Sequence, residues 1–335
     1  MQKVLPLGVP YMGSKRKYAT DLINQILLIK PDAKYFYDVF GGGGAMSFAA
    51  MQKGLQVFYN EKQTDMVNFM RFIFDCIKRP QSEYGIFPPE YYQFIAREKF
   101  IELRNQRGNY AQFARICYSF GNKQTSYLFN PELEKIKHLA HNFVVFKCEK
   151  SLHDFNEIMG VNYTLSDAPD WHGRRLDLMK QNTKAQKRLD LEQLQRLQQL
   201  QQLEQLQRLQ QLQQLERLQR LQQLQQLERL QQLEQKISFT NLDYKDVKIE
   251  TPPHETIVYL DPPYRGTAKY IEGLDHAELD AWFSSLPCVA FMSEYNAPFK
   301  CIYEIETRST LYSSSNAVKR IERLYINRNP PSCVS

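Results

Sequence analysis

Apolar and polar positions change rhythm three times along the chain. Tyr35–Phe40 is a short aromatic and β-branched run that ends in Gly41-Gly42-Gly43-Gly44. A helical stretch follows from Ala45 to Lys53, and Gly54 stops it. Leu55–Asn60 then predicts a second strand, ending at Glu61. Strand, glycine-rich turn, helix, strand and acid make a βαβ unit. The same texture returns late in the chain. Lys236–Thr240, Thr256–Leu260, Val289–Ser293 and Arg323–Asn327 predict strands, and Asp275–Ser285 has helical spacing with Asp275 as its N-cap.

Between these halves lie two other textures. Residues 76–190 carry turn signals at Gly85, Pro88-Pro89, Gly108-Asn109 and Gly121-Asn122, and are expected to form a mainly helical insert. Residues 191–235 are a low-complexity Leu/Gln repeat with Leu at every third position from Leu191 to Leu233. Its twelve-residue unit starts at Leu194, Leu206 and Leu218. The composition predicts a long helical arm, about 65 Å if fully helical. A three-residue step falls about 60° short of a helical turn, so the leucines spiral instead of holding one seam. An ordinary extended two-stranded coiled coil does not follow. A helical hairpin, packing on the body and self-association stay open, and the repeat is expected to be an expandable insert rather than a catalytic element.

Composition changes this picture little. A hydrophobic fraction of 43% supports a substantial core, and the net charge of +6 is compatible with a polyanionic partner. From Arg97 to Lys123 six Lys or Arg and two Glu alternate with Phe100, Tyr110, Phe113, Tyr118 and Phe120. This pattern suits a nucleic-acid surface, with cations for phosphates and rings for bases, and equally an amphipathic helix with a solvated basic face. Six scattered Cys without CxxC spacing predict no metal site and no disulfide framework. No apolar signal core opens the chain and no run reaches membrane-spanning length, so a cytoplasmic protein with reduced thiols is expected.

The strongest chemical signal is the apolar run Ile257–Leu260 ending in Asp261-Pro262-Pro263-Tyr264. In an open α/β sheet an acid at a strand's carboxyl end faces the ligand crevice, and the prolines forbid ladder pairing and stiffen the turn. A carboxylate and a backbone carbonyl accept the two N–H bonds of an exocyclic amine, freeing a lone pair otherwise delocalised into the base. The Tyr264 ring stacks on that base, which has to be flipped from a duplex to reach it. Glu61 lies 20 residues beyond Gly41, at a strand end where a carboxylate meets ribose hydroxyls. Asp243, after the strand at 236–240, can accept from a cofactor adenine amine. Pro10–Lys17 contains Gly13-Ser14-Lys15 without the preceding glycine of a P-loop, so no triphosphate site is expected there.

Together these residues resemble the Dam-like (D12 class) adenine-specific DNA methyltransferases in the order of that family's alpha group. Inserts such as the repeat occur in phage-type members. PYMGSKRKY (residues 10–18) is similar to the family's N-terminal cofactor segment, although Tyr11 stands where many members carry Trp. The match implies that Tyr11, Gly13 and Lys15 line the cofactor and catalytic cleft. DVFGGGGA (residues 38–45) is similar to its glycine motif, placing Asp38, Phe40, Gly41 and Gly43 near the methionine part of S-adenosylmethionine. Glu61 matches the ribose acid, Asp243 the adenine acid, and DPPY the catalytic motif. CYSFGNKQTSYLFN (residues 117–130) is similar to the target-recognition region and implies Asn122 and Lys123 as contacts to double-stranded DNA.

The implied fold is a Rossmann-like methyltransferase core, residues 1–75 and 236–335. It carries a target-recognition insert at 76–190 and the repeat arm at 191–235. The implied activity is transfer of a methyl group to N6 of a flipped-out adenine, with no metal. The rivals are an amino-methyltransferase acting on cytosine N4 or on RNA, and a catalytically dead DNA-binding or scaffold protein.

Overall fold

A computed structural model describes residues 9, 15–79, 83–119, 124–193, 237–265, 274–308 and 319–327. The Leu/Gln repeat beyond Gln193, and Tyr11, Gly13, Asn122 and Lys123, lie outside these residues.

Seven strands form one sheet: β1 (Tyr35–Asp38), β2 (Gln56–Asn60), β3 (Ile237–Thr240), β4 (Thr256–Leu260), β5 (Val289–Glu294), β6 (Lys300–Arg308) and β7 (Lys319–Ile326). Their order is β3-β2-β1-β4-β5-β7-β6. The first five run parallel, and β7 is antiparallel to both β5 and β6. Buried parallel strands read as unbroken apolar runs because both faces are covered. β4 is buried at every position, whereas β6, on the edge, has no buried residue among those whose side chains are described. The predicted strand at 323–327 is longer than expected and starts at Lys319, because β6 supplies it with a partner over its whole length.

The chain runs outward from β1 to β2 and β3, then re-enters on the other side of β1 at β4. The strand order therefore reverses between β1 and β4. Loops leaving their carboxyl ends part there and open a crevice, the usual ligand position in such sheets. The mixed α/β architecture with a mostly parallel sheet fits a methyltransferase fold.

The chain divides into one compact unit of residues 1–72 and 226–335 and a second of 73–225. The first holds the sheet. Its helix α1 (Ala19–Ile29) buries Leu22, Ile23 and Ile26, a one-sided stripe. Helix α2 (Ala45–Gln52) is buried almost all round; its small side chains Ala45, Ala49 and Ala50 permit that. Helix α3 (Thr64–Ile77) begins in this unit. One sheet face packs Tyr37, Val39, Val258, Leu260 and Met292 against Leu279 and Phe283 of a late helix. That helix, α9 (His276–Ser285), is capped as predicted: Asp275 accepts from the N–H groups of Ala277 and Glu278 at 2.8 and 3.2 Å.

The second unit contains α4 (Arg97–Leu103), α5 (Asn109–Tyr118), α6 (Pro131–Phe146), α7 (Glu149–Met159) and α8 (Trp171–Gln193). Lys147, at φ 55°, turns the chain from α6 into α7, and Phe143, Val144, Leu152 and Phe155 form the seam. Arg174 of α8 closes the carboxyl end of α6 by donating to the carbonyls of Val144 and Val145 at 2.6 and 2.9 Å.

Among the described residues the basic and aromatic stretch forms no stacking surface. Phe100, Phe113 and Tyr118 are fully buried, and Tyr110 packs edge-on against Tyr91. Arg115 is turned inward to the Gln112 side chain and the Gln106 carbonyl. Phe100, Phe113 and Tyr118 are core, and of the two readings the amphipathic-helix one describes them. Among the described residues no helix is long and apolar enough to cross a membrane.

Candidate active site

The four strands nearest the switch point end alike: YFYD in β1, VFYN followed by Glu61 in β2, VYL followed by Asp261 in β4, and FMSE in β5. Each run stays apolar while it lies in the sheet and turns acidic or amidic where the backbone reaches the crevice. The result is a row of oxygen acceptors along one edge.

Asp38 is buried, and its Oδ2 accepts from the Ser47 N–H at 3.1 Å and the Ser47 hydroxyl at 2.6 Å. It thereby ties β1 to the first turn of α2, where a helix leaves N–H groups unpaired. Burial, only partly opposed by Ser47, pushes its carboxyl up to about 7.

The glycine turn is shaped by Tyr59. Its ring lies against Gly41, where a Cβ would come within 2.2 Å of it, and its hydroxyl donates to the Gly42 carbonyl at 2.8 Å. Gly41 is therefore a glycine for space. Gly44 is one for backbone shape as well, with φ at +72°. The Gly43 carbonyl accepts from Val9 N–H at 2.7 Å, bringing Val9 onto the turn. Glu61 accepts from Gly42 N–H at 3.0 Å and Gln63 N–H at 2.9 Å, and burial raises its carboxyl.

Asn60 joins three segments. Its amide donates to the carbonyls of Val39 and Leu242 at 3.0 and 3.1 Å, and its oxygen accepts from Thr240 Oγ1 and Leu242 N–H. Leu242 is thus held beside the end of β1, with Asp243 next to it. Asp243 caps a single 3₁₀ turn and pairs with Lys62 Nζ at 2.8 Å; the Lys62 bond pulls its carboxyl down. Phe40 packs on Tyr244, whose ring is also met edge-on by Trp282.

Asp261, Pro262, Pro263 and Tyr264 leave the end of β4, with Pro262 buried. Arg265 N–H donates to Glu294 Oε2 at 3.1 Å, which anchors the turn to the end of β5. Lys15 Nζ lies 2.7 Å from Asp261 Oδ1 and 2.9 Å from Glu322 Oε1, and 4.7 Å above the Tyr264 ring. The Tyr264 hydroxyl donates to the same Glu322 oxygen, and its ring stands edge-on to Tyr295 at 4.6 Å. Lys15 is 4% exposed, Glu322 7% and Asp261 19%, so of the three Asp261 is the one open to an incoming group.

Burial pushes the Asp261 carboxyl up, Lys15 pulls it down and Glu322 pushes it up again, leaving it at about 6. Burial lowers Lys15, but the two carboxylates outweigh it and hold the ammonium charged.

The structure thus gathers Lys15, Asp38, Gly41, Glu61, Asp243, Asp261 and Tyr264 along one sheet edge. Sequence reasoning passed over Ser47, Asn60, Tyr59, Glu294 and Glu322. Glu294 carries the same run-then-acid signal as Asp261. Glu322 carries none, since it is one of four charged residues, with Lys319, Arg320 and Arg323, in the first five positions of β7.

The donor set bears on the cofactor. The Gly42 N–H is spent on Glu61, and carboxylates dominate the edge, so a polyphosphate is disfavoured. Acceptors suit a nucleoside's hydroxyls and amine and the positive charge of a sulfonium. Asp38, Glu61 and Asp243 thereby fit S-adenosylmethionine.

No curated protein matches the chain. Residues 11–164 match the family model of the D12 class N6 adenine-specific DNA methyltransferase, a family whose enzymes methylate adenine N6 in DNA with S-adenosylmethionine as methyl donor.

Proposed function

We propose that Asp261, Pro262, Pro263 and Tyr264, which lie beyond the matched residues, are the catalytic turn of this methyltransferase, and that its substrate is an adenine flipped from duplex DNA. The observation that carries the assignment is position and chemistry together. A partly open carboxylate and an aromatic ring leave β4 at the point where strand order reverses. Asp261 and the Pro262 carbonyl accept the two N–H bonds of the adenine amine and turn its lone pair toward the methyl group. Tyr264 holds the base by stacking.

The cofactor supplies an electrophilic methyl group on a sulfonium. Asp38, Glu61 and Asp243 would hold the cofactor, which would supply its methyl to the amine nitrogen oriented by Asp261 and the Pro262 carbonyl, and the extra amine proton would pass to solvent. Asp261 therefore needs to be ionised and well placed rather than strongly basic. Asp38, Phe40, Gly41, Gly43, Glu61 and Asp243 form the cofactor side of the cleft, and Tyr11, Gly13 and Lys15 line it where cofactor and catalytic turn meet. Residues 1–75 and 236–335 act as the Rossmann-like catalytic core and 76–190 as the target-recognition insert, with Asn122 and Lys123 contacting DNA. The Leu/Gln tract is an expandable helical arm.

The test is transfer of labelled methyl from S-adenosylmethionine to unmethylated duplex DNA, followed by nucleoside analysis. N6-methyladenine is expected with the native protein and none with Asp261→Ala, which should still bind cofactor. Full activity of Asp261→Ala would remove the assignment. N4-methylcytosine, or transfer only to RNA, would replace the substrate.

A further inference from the structure

Lys15 occupies both places that the proposed mechanism gives to the substrate. Its ammonium sits on Asp261 Oδ1, where an adenine amine would donate, and over the Tyr264 ring, where the base would stack. The base and the ammonium compete for Asp261 Oδ1 and for the face of Tyr264. An ammonium that is 4% exposed cannot simply be left unpaired, since a buried charge without a partner is strongly disfavoured. Glu322, 2.9 Å away on the other side, supplies the alternative partner. It comes from β7, an antiparallel strand that reaches the crevice from the opposite direction to β4. One Glu322 oxygen also receives the Tyr264 hydroxyl, so the group that receives the lysine also fixes the ring on which the base must lie.

We propose that Glu322 is a positioning residue for methyl transfer: it takes over the Lys15 ammonium when the base enters, releasing Asp261 to the adenine amine while holding the Tyr264 ring in place. The inference rests on the assignment of Asp261 and Tyr264 to the amine site. Lys15 is then an exchangeable occupant of that site, traded between two carboxylates in each turnover, and no proton or bond changes hands in the exchange. Without Glu322 the lysine stays on Asp261 and competes with the base.

Single-turnover methyl transfer to unmethylated chromosomal DNA, measured from pH 5 to 9, tests this with Glu322→Gln, Lys15→Met and the double variant. Loss of one charge-assisted bond predicts a rate about tenfold or more lower for Glu322→Gln. Adding Lys15→Met should bring the rate back to within about threefold of Lys15→Met alone, a coupling that independent sites would not show.

The acid limb of the profile gives a second readout. The ionisable groups facing Asp261 are Lys15, Glu322, Tyr264, Tyr259, Tyr18, Asp38 and Glu294. Removing the Glu322 charge should move that limb to lower pH, and removing the Lys15 charge should move it to higher pH. Those shifts report the two charges beside Asp261; the exchange itself is read from the slowing of Glu322→Gln and its rescue.

Glu322→Gln within about twofold of native, or a double variant as slow as the two losses multiplied, would overturn the proposal. If Glu322→Gln does not fold, Glu322→Asp withdraws the carboxylate by one methylene while keeping its charge, and the same slowing and the same rescue are expected. Asp261→Ala is measured alongside. If it stays active, the amine-site assignment fails. If it is inactive and the Glu322 and Lys15 losses multiply, only the role given to Glu322 fails.

Discussion

Replacing Gly41 with alanine puts a methyl group where Tyr59 already has a ring. The new Cβ would lie 2.2, 2.5 and 2.9 Å from three ring carbons. Tyr59 cannot swing aside cheaply. It is fully buried, it packs on Phe239 at 5.4 Å, and its hydroxyl is tied to the Gly42 carbonyl. Overpacking of this kind costs about 1–3 kcal/mol, and losing the hydroxyl bond adds about 1 kcal/mol. A total of about 2–4 kcal/mol is therefore expected. Urea unfolding should show a lower midpoint with an unchanged slope. The decisive measurement is a double-mutant cycle with Tyr59→Leu. The smaller side chain makes room for the methyl group, so the two losses should fall short of additive by at least about 1 kcal/mol. Full additivity, or native stability of Gly41→Ala alone, would refute the steric account of the glycine turn. Cofactor affinity should fall with Gly41→Ala, since the turn can relieve the clash only by moving.

Two further outcomes follow from the crevice edge. Asp38 titrates near 7 in the folded chain and near 4 once unfolded. Its contribution to stability is fully present below about pH 4 and is lost as pH rises through about 7. Asp38→Asn should flatten the fall of melting temperature across that window; an unchanged slope would show that Asp38 is not the group responsible. Asn60→Ala strips hydrogen-bond partners from the Val39 and Leu242 carbonyls and from Leu242 N–H, and should lower stability by about 3 kcal/mol or more; a melting temperature equal to native would refute the junction role.

The parallel half of the sheet was readable because burial on both faces leaves an unmistakable record: Tyr35–Asp38, Gln56–Asn60 and Thr256–Leu260 are apolar runs bounded by turn formers. Their terminal acids were readable for the same reason, as an ionisable group after such a run has only the crevice to occupy. β6 has no comparable record, since an edge strand keeps its charges and alternates weakly. Glu322 was hidden similarly. Its sequence neighbours Arg320 and Arg323 are charged too, and only the folded strand brings Glu322 to Lys15. The buried rings at Phe100, Phe113 and Tyr118 show the reverse difficulty. Basic and aromatic composition does not say which way a ring points; that depends on which helix face meets a neighbour.

β2 and β3 are hydrogen-bonded neighbours, yet the chain leaves the sheet at Asn60 and returns to it at Ile237. Whatever lies between must only deliver its two ends to adjacent strands. The entropy of closing such an excursion grows with the logarithm of its length, so one more twelve-residue unit added to the tract at 191–235 changes it by only about 0.2 kcal/mol. The sheet is thermodynamically almost blind to how long the tract is. Gain or loss of whole repeats can therefore accumulate over generations without selection for folding opposing it.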